Sequence, residues 1–391
     1  MRFVQFSDVH LDSSIGGALG LPADKRAVLR RDIAASLARA CALASECRAD
    51  VVLIPGDLFD YESVTPETAS IAADMFASIA PARVFISPGN HDSLCPGSPY
   101  IDPSGFRWPD NVHIFIESNF RTVAIPELEC SVTGIAHAHA GVTDRLLAER
   151  VPGDRAGVSI LLFHGSRDGF IPVGKETVIP FSDSELLAQG FTYAAVGHYH
   201  SPAHIRDGSG NVKGAYSGCV QGRDIGEAGE KVALVGEIAP DGRVELESRD
   251  VAERRVVSVE VDVTGIRDIA GLLAKVEAVE AASGARPRDI VSVALYGAAA
   301  STLEINDTDR IERTERFFHT CVNTSRVVPD YDLRALARES AAPSLKSAFV
   351  RRMLEMIDNT ADEREQAALQ DAVYYGLYAL DGRKLEPRDV D

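Results

Sequence analysis

No two cysteines in this 391-residue chain are spaced Cys-x-x-Cys; the six present, Cys41, Cys47, Cys95, Cys130, Cys219 and Cys321, are scattered. That excludes a thiolate metal motif and reads as the reduced, mostly buried thiols of a cytoplasmic protein. No apolar run approaches the roughly 18 residues that cross a bilayer. Met1-Arg2 leads straight into an apolar strand, Phe3-Val4-Gln5-Phe6, rather than into a leader segment, so no membrane association is expected. Basic charge is also scarce. Residues 1–250 hold 21 Lys and Arg against 33 Asp and Glu, net −12; residues 251–391 hold 19 against 25, net −6. The Arg-Arg doublets are Arg30-Arg31, Arg254-Arg255 and Arg351-Arg352, each at home on a surface helix or strand edge. No basic stripe interleaves with aromatics, which argues against tight, non-specific nucleic-acid binding by this chain alone. Internal repeats and low-complexity linkers are absent as well.

What remains is ordinary globular composition, 45% hydrophobic and 25% charged. The length exceeds what one core usually supports. Composition shifts near 250–255, and the pattern divides the chain into a large α/β domain over 1–250, a small α+β unit over 251–335 and a helical segment over 336–391. The large domain alternates strands and helices. Phe3–Phe6 is followed by a helix over 24–47 with Val28, Leu29, Ile33, Leu37, Ala40 and Leu43 on one side. Next come a strand over 50–54, a helix that starts at Thr65-Pro66 and runs to about Ile79, and a strand over 83–87. Less regular sequence follows, with strands over 112–116 and 131–136 and a short helix after Thr143. Apolar strands over 158–163 and 193–196 come next, and an antiparallel run is expected over 203–249. Beyond it the pattern predicts a strand over 256–263, a helix over 266–282, a strand over 290–296 and a helix around 307–319. Two helices over 343–380 part near Asn359-Thr360, where Thr360 or Asp362 is placed to cap the second.

The strand exits carry the chemistry. Asp50-Val51-Val52-Leu53-Ile54 is a buried strand that stops at Pro55-Gly56-Asp57, and a carboxylate beyond a strand's carboxyl end lies where open α/β sheets bind ligands. Alone, Asp57 reads as a turn residue. Four other strand exits repeat the pattern: Asp8 and His10, Asn90 and His91, His164, and His198 and His200. Asp8 and His10, spaced i, i+2, leave an extended backbone on one face. His137 and His139 share that spacing but lack a neighbouring carboxylate, and read as surface or supporting histidines. Two carboxylates, an amide and five imidazoles are thus expected along one edge of one sheet. A carboxylate flanked by histidines can bridge two cations about 3.5–4 Å apart, able to activate a water and stabilise both oxygens of an in-line displacement. Nitrogen and oxygen ligation without thiolate suits Mn, Fe or Zn better than Ca.

Asp8-x-His10, Gly56-Asp57-x-x-Asp60, Gly89-Asn90-His91-Asp92, His164 and Gly197-His198-x-His200 occur in order and resemble the full signature of calcineurin-like metallophosphoesterases. The resemblance implies a metallophosphoesterase β-sandwich flanked by helices over 1–250, a capping domain over 251–335 and terminal helices. It also implies one metal on Asp8, His10 and His200, and a second on Asn90, His164 and His198, with Asp57 bridging. His91 would contact phosphate and protonate the leaving oxygen. Asp60 stands where many relatives carry a histidine; its spacing suits a carboxylate that orients His91, with a plain turn role as the alternative. Within the superfamily, Phe6-Ser7-Asp8-Val9-His10-Leu11-Asp12 and the block Gln221-Gly222-Arg223-Asp224-Ile225-Gly226-Glu227 leading to Lys231 resemble the SbcD/YhaO-like DNA-repair exonuclease branch. That branch implies DNA as substrate, manganese dependence, a homodimer and an SMC-like ATPase partner of the SbcC type, docked through the terminal helices. Those helices could equally pack as a lid on their own domain. Two enzymatic readings stand: a DNA nuclease subunit, which the branch blocks favour, and a phosphoesterase for a nucleotide, phospholipid head group or other small phosphoester, which the acidic balance favours. An inactive metal-stabilised scaffold is disfavoured, because every ligand and His91 are present.

Overall fold

Short β-branched and aromatic runs make the strands, and the residues that stop them make the site. The computed structural model describes residues 1–15, 17–102, 105–153, 157–170, 176–299, 309–312, 315–338 and 344–382. These form two compact units, Met1–Val256 and Val257–Asp391.

The first unit is a two-sheet sandwich. In one sheet β1 (Arg2–Gln5), β2 (Val51–Ile54), β3 (Arg83–Ile86) and β4 (Val112–Ile114) run parallel, and the hairpin of β11 (Val232–Ile238) and β12 (Val244–Asp250) adds antiparallel beside β1. In the other, β6 (Cys130–Gly134), β7 (Val158–His164), β8 (Tyr193–Gly197) and β10 (Val212–Tyr216) run parallel, flanked by antiparallel β5 (Arg121–Ile125) and β9 (Ala203–Arg206). Phe3, Val51, Leu53 and Phe85 of the first sheet pack on Val132, Ile160, Leu162 and Tyr193 of the second. The rings of Phe3 and Tyr193 lie 4.8 Å apart. One polar side chain interrupts this layer: buried Gln5 donates to the Ala215 carbonyl (2.8 Å) and accepts from the Tyr193 hydroxyl (2.5 Å), so the two sheets are held in register just below the strand exits. A buried polar group tolerates such a place only when fully paired.

Helix α1 (Ala23–Glu46) buries Leu29, Ile33, Leu37, Ala40 and Leu43, its expected face, while Val28 is half-buried. Thr65 caps α2 (Pro66–Ser78) through the Thr68 amide. A capping box of Ser182 and Glu185 starts α3 (Asp183–Ala188), which the periodicity does not show because the helix is under two turns. The short helix expected directly after Thr143 is corrected: residues 146–149 are turn and bend, and the next α-helix among the described residues is α3. The expected antiparallel run over 203–249 is divided, β9–β10 joining one sheet and β11–β12 the other, because β10 finds its parallel partner in β8.

In the second unit, β13 (Val256–Asp262), β14 (Ile290–Ala299) and β15 (His319–Pro329) form a sheet, with α4 (Ile269–Ala282) supplying Leu272 and Val276 to its core. The helix expected around 307–319 is corrected: only α5 (Asp309–Glu312) is helical there among the described residues, and a strand pairing with β14 begins at His319. Residues 307, 308, 313 and 314 lie outside the described set. Helix α6 (Leu333–Arg338) precedes the terminal pair, α7 (Leu345–Asp358) and α8 (Glu363–Leu380), whose Val350, Met353, Ile357, Val373 and Leu377 pack together. Asp362, not Thr360, caps α8, accepting from Arg364 and Glu365 amides. No helix among the described residues is long and apolar enough to cross a membrane. None of the six cysteines forms a disulfide: Cys41, Cys130 and Cys219 are buried, and Cys47, Cys95 and Cys321 are half-buried.

Candidate metal centre

The chemistry-bearing residues do not line one edge of one sheet, as their spacing suggests; they come from both sheets. Asp8, His10, Asp57, Asn90 and His91 follow β1, β2 and β3 of the first, whereas His164, His198 and His200 end β7 and β8 of the second. The sandwich closes them on one another, because the parallel strands of each sheet end at the same rim. Sequence periodicity cannot assign strands to sheets.

The backbone is bent to do this. Asp8, His10 and Asp57 take φ of 52°, 51° and 52°, and His198 takes 114°. Non-glycine residues in this region cost on the order of 1–3 kcal/mol each and concentrate at functional sites. Glycines make room around them. At Gly89 a Cβ would run into Asp57 Oδ1 and the His164 ring, and at Gly56 it would lie 2.5 Å from His164 Nδ1.

Asp57 sits at the centre and is buried. Its Oδ2 lies 3.2 Å from His164 Nε2 and 3.7 Å from His10 Nε2, and its Oδ1 accepts the His91 amide at 3.0 Å. His164 Nε2 also lies 3.0 Å from Asn90 Oδ1. Ligand atoms of Asp8, His10 and His200 fall within 4.8 Å of one another, as do those of Asp8, Asp57 and His164.

Each of the four candidate ligand imidazoles, His10, His164, His198 and His200, has one ring nitrogen tied down. His10 Nδ1 meets Asp60 Oδ1 (2.8 Å), His164 Nδ1 the Pro55 carbonyl (2.9 Å), His198 Nε2 the Glu176 carbonyl (2.9 Å) and His200 Nδ1 Glu227 Oε1 (2.6 Å). Fixing one nitrogen on a carbonyl or carboxylate, which leaves the other to ligate, is the hallmark of metal-binding histidines. His10 Nε2 is buried with no hydrogen-bond partner among the described residues, which calls for an ion or a water there. The donor set therefore fits a pair of divalent cations. Cys219 lies within reach of His200 and Glu227, but burial pushes its thiol up to about 12, which disfavours the thiolate.

Electrostatics follow the same geometry. Burial, then the Arg223 charge, pushes His10 down to about 4. Burial also opposes charge on Asp57 and His164, yet each outweighs it for the other: Asp57 is held well below the carboxylate range and His164 is raised to about 9. Burial and the His164 charge bring His198 down to about 3.

Around this core stand residues whose roles their motifs do not spell out. Asp60 Oδ1 lies 3.0 Å from His91 Nδ1 as well as contacting His10, and His91, with its side chain 49% exposed, stands at the mouth. Asp92 accepts from the Gly89, Asp57 and Leu58 amides and from the Tyr100 hydroxyl, pinning the two loops together. Only its place at the end of Gly89-Asn90-His91-Asp92 hints at this. Glu227 closes the Gln221–Glu227 block, and the structure alone ties it to His200. His137 is buried, its Nε2 2.9 Å from the His164 carbonyl, whereas His139 is exposed.

Over 288 residues the chain is 26% identical to an uncharacterized metallophosphoesterase, YhaO, of Bacillus subtilis (strain 168), covering 71% of this chain and 67% of that protein. Among solved structures, TT1561 of Thermus thermophilus aligns with a TM-score of 0.37 and 13% identity over 64% of this chain and 98% of that one. A dimetal phosphatase from Danio rerio aligns with a TM-score of 0.39 and 14% identity over 65% and 97%. The family model described as calcineurin-like phosphoesterase matches residues 1–202, the stretch that contributes every residue of the constellation, and the chain belongs to that family of metal-dependent phosphoester hydrolases.

Proposed function

We propose that this chain is a two-metal phosphodiesterase acting on DNA, the nuclease subunit of a DNA-repair assembly with an SMC-like ATPase of the SbcC type. The observation that carries the diesterase reading is the set of four anchored imidazoles converging on Asp57 and Asp8. Asp8, His10 and His200 would hold one cation, Asn90, His164 and His198 the other, and Asp57 both. Manganese is the first choice, with iron or zinc as alternatives. When bound, the pair offsets the charge of the phosphate oxygens and makes a water a better nucleophile.

His91 does the proton work. Its Nδ1 faces Asp60, so Nε2 is the nitrogen offered to substrate. The hydrogen bond that His91 Nδ1 donates to Asp60 raises its pKa above the usual imidazole value, favouring the protonated form that a general acid requires. As the bond from phosphorus to the leaving oxygen breaks, that proton passes to the oxygen, a transfer worth roughly 10²–10⁴-fold in rate.

Support for DNA comes from the two branch-like blocks and from two exposed aromatics beside the mouth. Tyr61 follows the loop bearing Asp60, and its amide bonds the His91 carbonyl (3.0 Å). Phe170 lies against Tyr199, between His198 and His200 (ring centroids 5.8 Å). Bases stack on such rings without sequence preference. The homodimer and the ATPase belong to the same proposal, with α7 and α8 as the docking element, α7 exposing Leu345 and Met356. A second reading, a small phosphoester as substrate, is favoured by the net charge of −18, since a polyanion must approach an acidic surface.

At saturating manganese, bis-p-nitrophenyl phosphate, single- and double-stranded DNA and mononucleotides separate the two. DNA degradation, alone or with a co-expressed SbcC-type ATPase, is the expected outcome. Turnover of the generic diester or of mononucleotides with intact DNA throughout selects the small-substrate reading.

A further inference from the structure

Arg223 takes no part in the metal constellation, yet its guanidinium is built into the site wall. Its side chain is 12% exposed, its Nη2 donates to Glu227 Oε1 (2.9 Å), and its backbone amide donates to Glu227 Oε2 (2.7 Å). The same Oε1 holds His200 Nδ1 at 2.6 Å, so one carboxylate oxygen separates the arginine from a candidate ligand. The Nε–H is buried and has no partner among the described residues. A buried charged donor left unpaired is costly enough to require an acceptor.

The surrounding groups say what that acceptor is. The site carries Asp8, Asp57, Asp60 and Glu227, and Glu227 already spends its oxygens on His200, Arg223 Nη2 and the Arg223 amide. A further protein carboxylate would deepen the negative charge where phosphate must enter. Through Glu227 Oε1, which holds both groups, the arginine stands beside His200. His10 and His200 rings are 5.3 Å apart, so the arginine addresses the side of the site where the first cation would sit. A planar guanidinium with a free N–H matches a phosphate oxygen in charge and geometry.

We propose that Arg223 is a substrate-binding residue that donates its Nε–H to a phosphate oxygen, with Glu227 fixing the guanidinium plane. The inference rests on the phosphodiesterase reading. It commits to an anionic phosphate oxygen, supplied either by the scissile phosphate or by a phosphate flanking it in an oligonucleotide.

The experiment compares the full-length wild type, Arg223→Lys and Arg223→Gln, each checked for bound manganese by calorimetry and elemental analysis. Substrates are bis-p-nitrophenyl phosphate, which has one phosphate, and a short oligothymidylate, which has several. Inorganic phosphate serves as competitive inhibitor. The expected result is two metals per chain in all three proteins and KM and the phosphate inhibition constant raised about 10- to 100-fold in both variants, the range of a hydrogen bond to a charged group, with a smaller change in kcat. A rise on both substrates assigns the scissile phosphate, and a rise on the oligonucleotide alone assigns a flanking one. Unchanged KM and inhibition constants in variants that keep both metals overturn the proposal, and so does loss of a metal with KM unaltered, which would make Arg223 a positioning residue for Glu227. A wild type that turns over neither substrate at saturating manganese refutes the phosphodiesterase reading itself, a result distinct from either of these.

Discussion

Asp57 Oδ2 and His164 Nε2 lie 3.2 Å apart although one ends β2 in the first sheet and the other ends β7 in the second. The pair is the point at which the sandwich closes over its site. A cation held by both residues would sit at this contact, where Asp57 outweighs burial and raises His164 to about 9.

Loading that place with metal must therefore expel a proton. His164 keeps its proton up to about 9, since Asp57 outweighs the burial that works against the charge, and only neutral imidazole ligates. Near neutral pH, manganese binding should release close to one proton per chain from this residue, and apparent affinity should rise with pH until about 9 and then level off. Titration calorimetry in two buffers of different ionisation enthalpy reads the proton count; an enthalpy independent of buffer would refute it.

His91→Ala should retain both metals and lose about 10²–10⁴-fold in kcat on a diester with a poor leaving group. Asp60→Asn should cost less, about 10- to 100-fold, and should move the alkaline limb of the rate profile to lower pH. The sign follows from the hydrogen bond to Asp60, which raises the His91 pKa; without the carboxylate the acid form is lost earlier. A full rate in His91→Ala would show that the leaving oxygen takes its proton elsewhere.

Glu227→Gln should weaken manganese binding at the first position by about 10- to 100-fold, because the amide orients the His200 ring less firmly than the carboxylate 2.6 Å from its Nδ1. Calorimetry should show one of the two sites weakened relative to the wild type. Identical isotherms would remove Glu227 from the metal centre.

Gly89→Ala should be more damaging than its size suggests. The added methyl collides with Asp57 Oδ1 and with His164 at 2.9 Å, and both are locked by hydrogen bonds to Asp92-held loops and to Pro55. Overpacking of this kind typically costs about 1–3 kcal/mol, so thermal melts should show a folded but less stable protein with little bound metal. A variant with wild-type metal content would mean the loops yield easily.

Local chemistry was readable from the chain itself. A β-branched run that stops at Gly56-Asp57 announces both a buried strand and a reactive exit, because strand formation and its termination depend on residues within a few positions. The same holds for α1, whose buried face follows the 3.6-residue period, and for the five ordered motifs, which are each local. Assignment of those exits to two facing sheets was not readable, since β1 to β3 and β7 to β8 share the same apolar composition and nothing along the chain says which strands pair. The strand that begins at His319 escaped for a related reason: it pairs with Ile290 of β14, far off along the chain, and long-range pairing overrides local helix preference. Likewise Asp92, Glu227 and Arg223 stand inside recognisable blocks, but their places against the Asp57 loop, His200 and the site wall appear only when loops from different strands meet. Which residues could bear the chemistry was thus set by short-range sequence; which of them touch was set by the packing of one sheet on the other, a property of contacts distant along the chain.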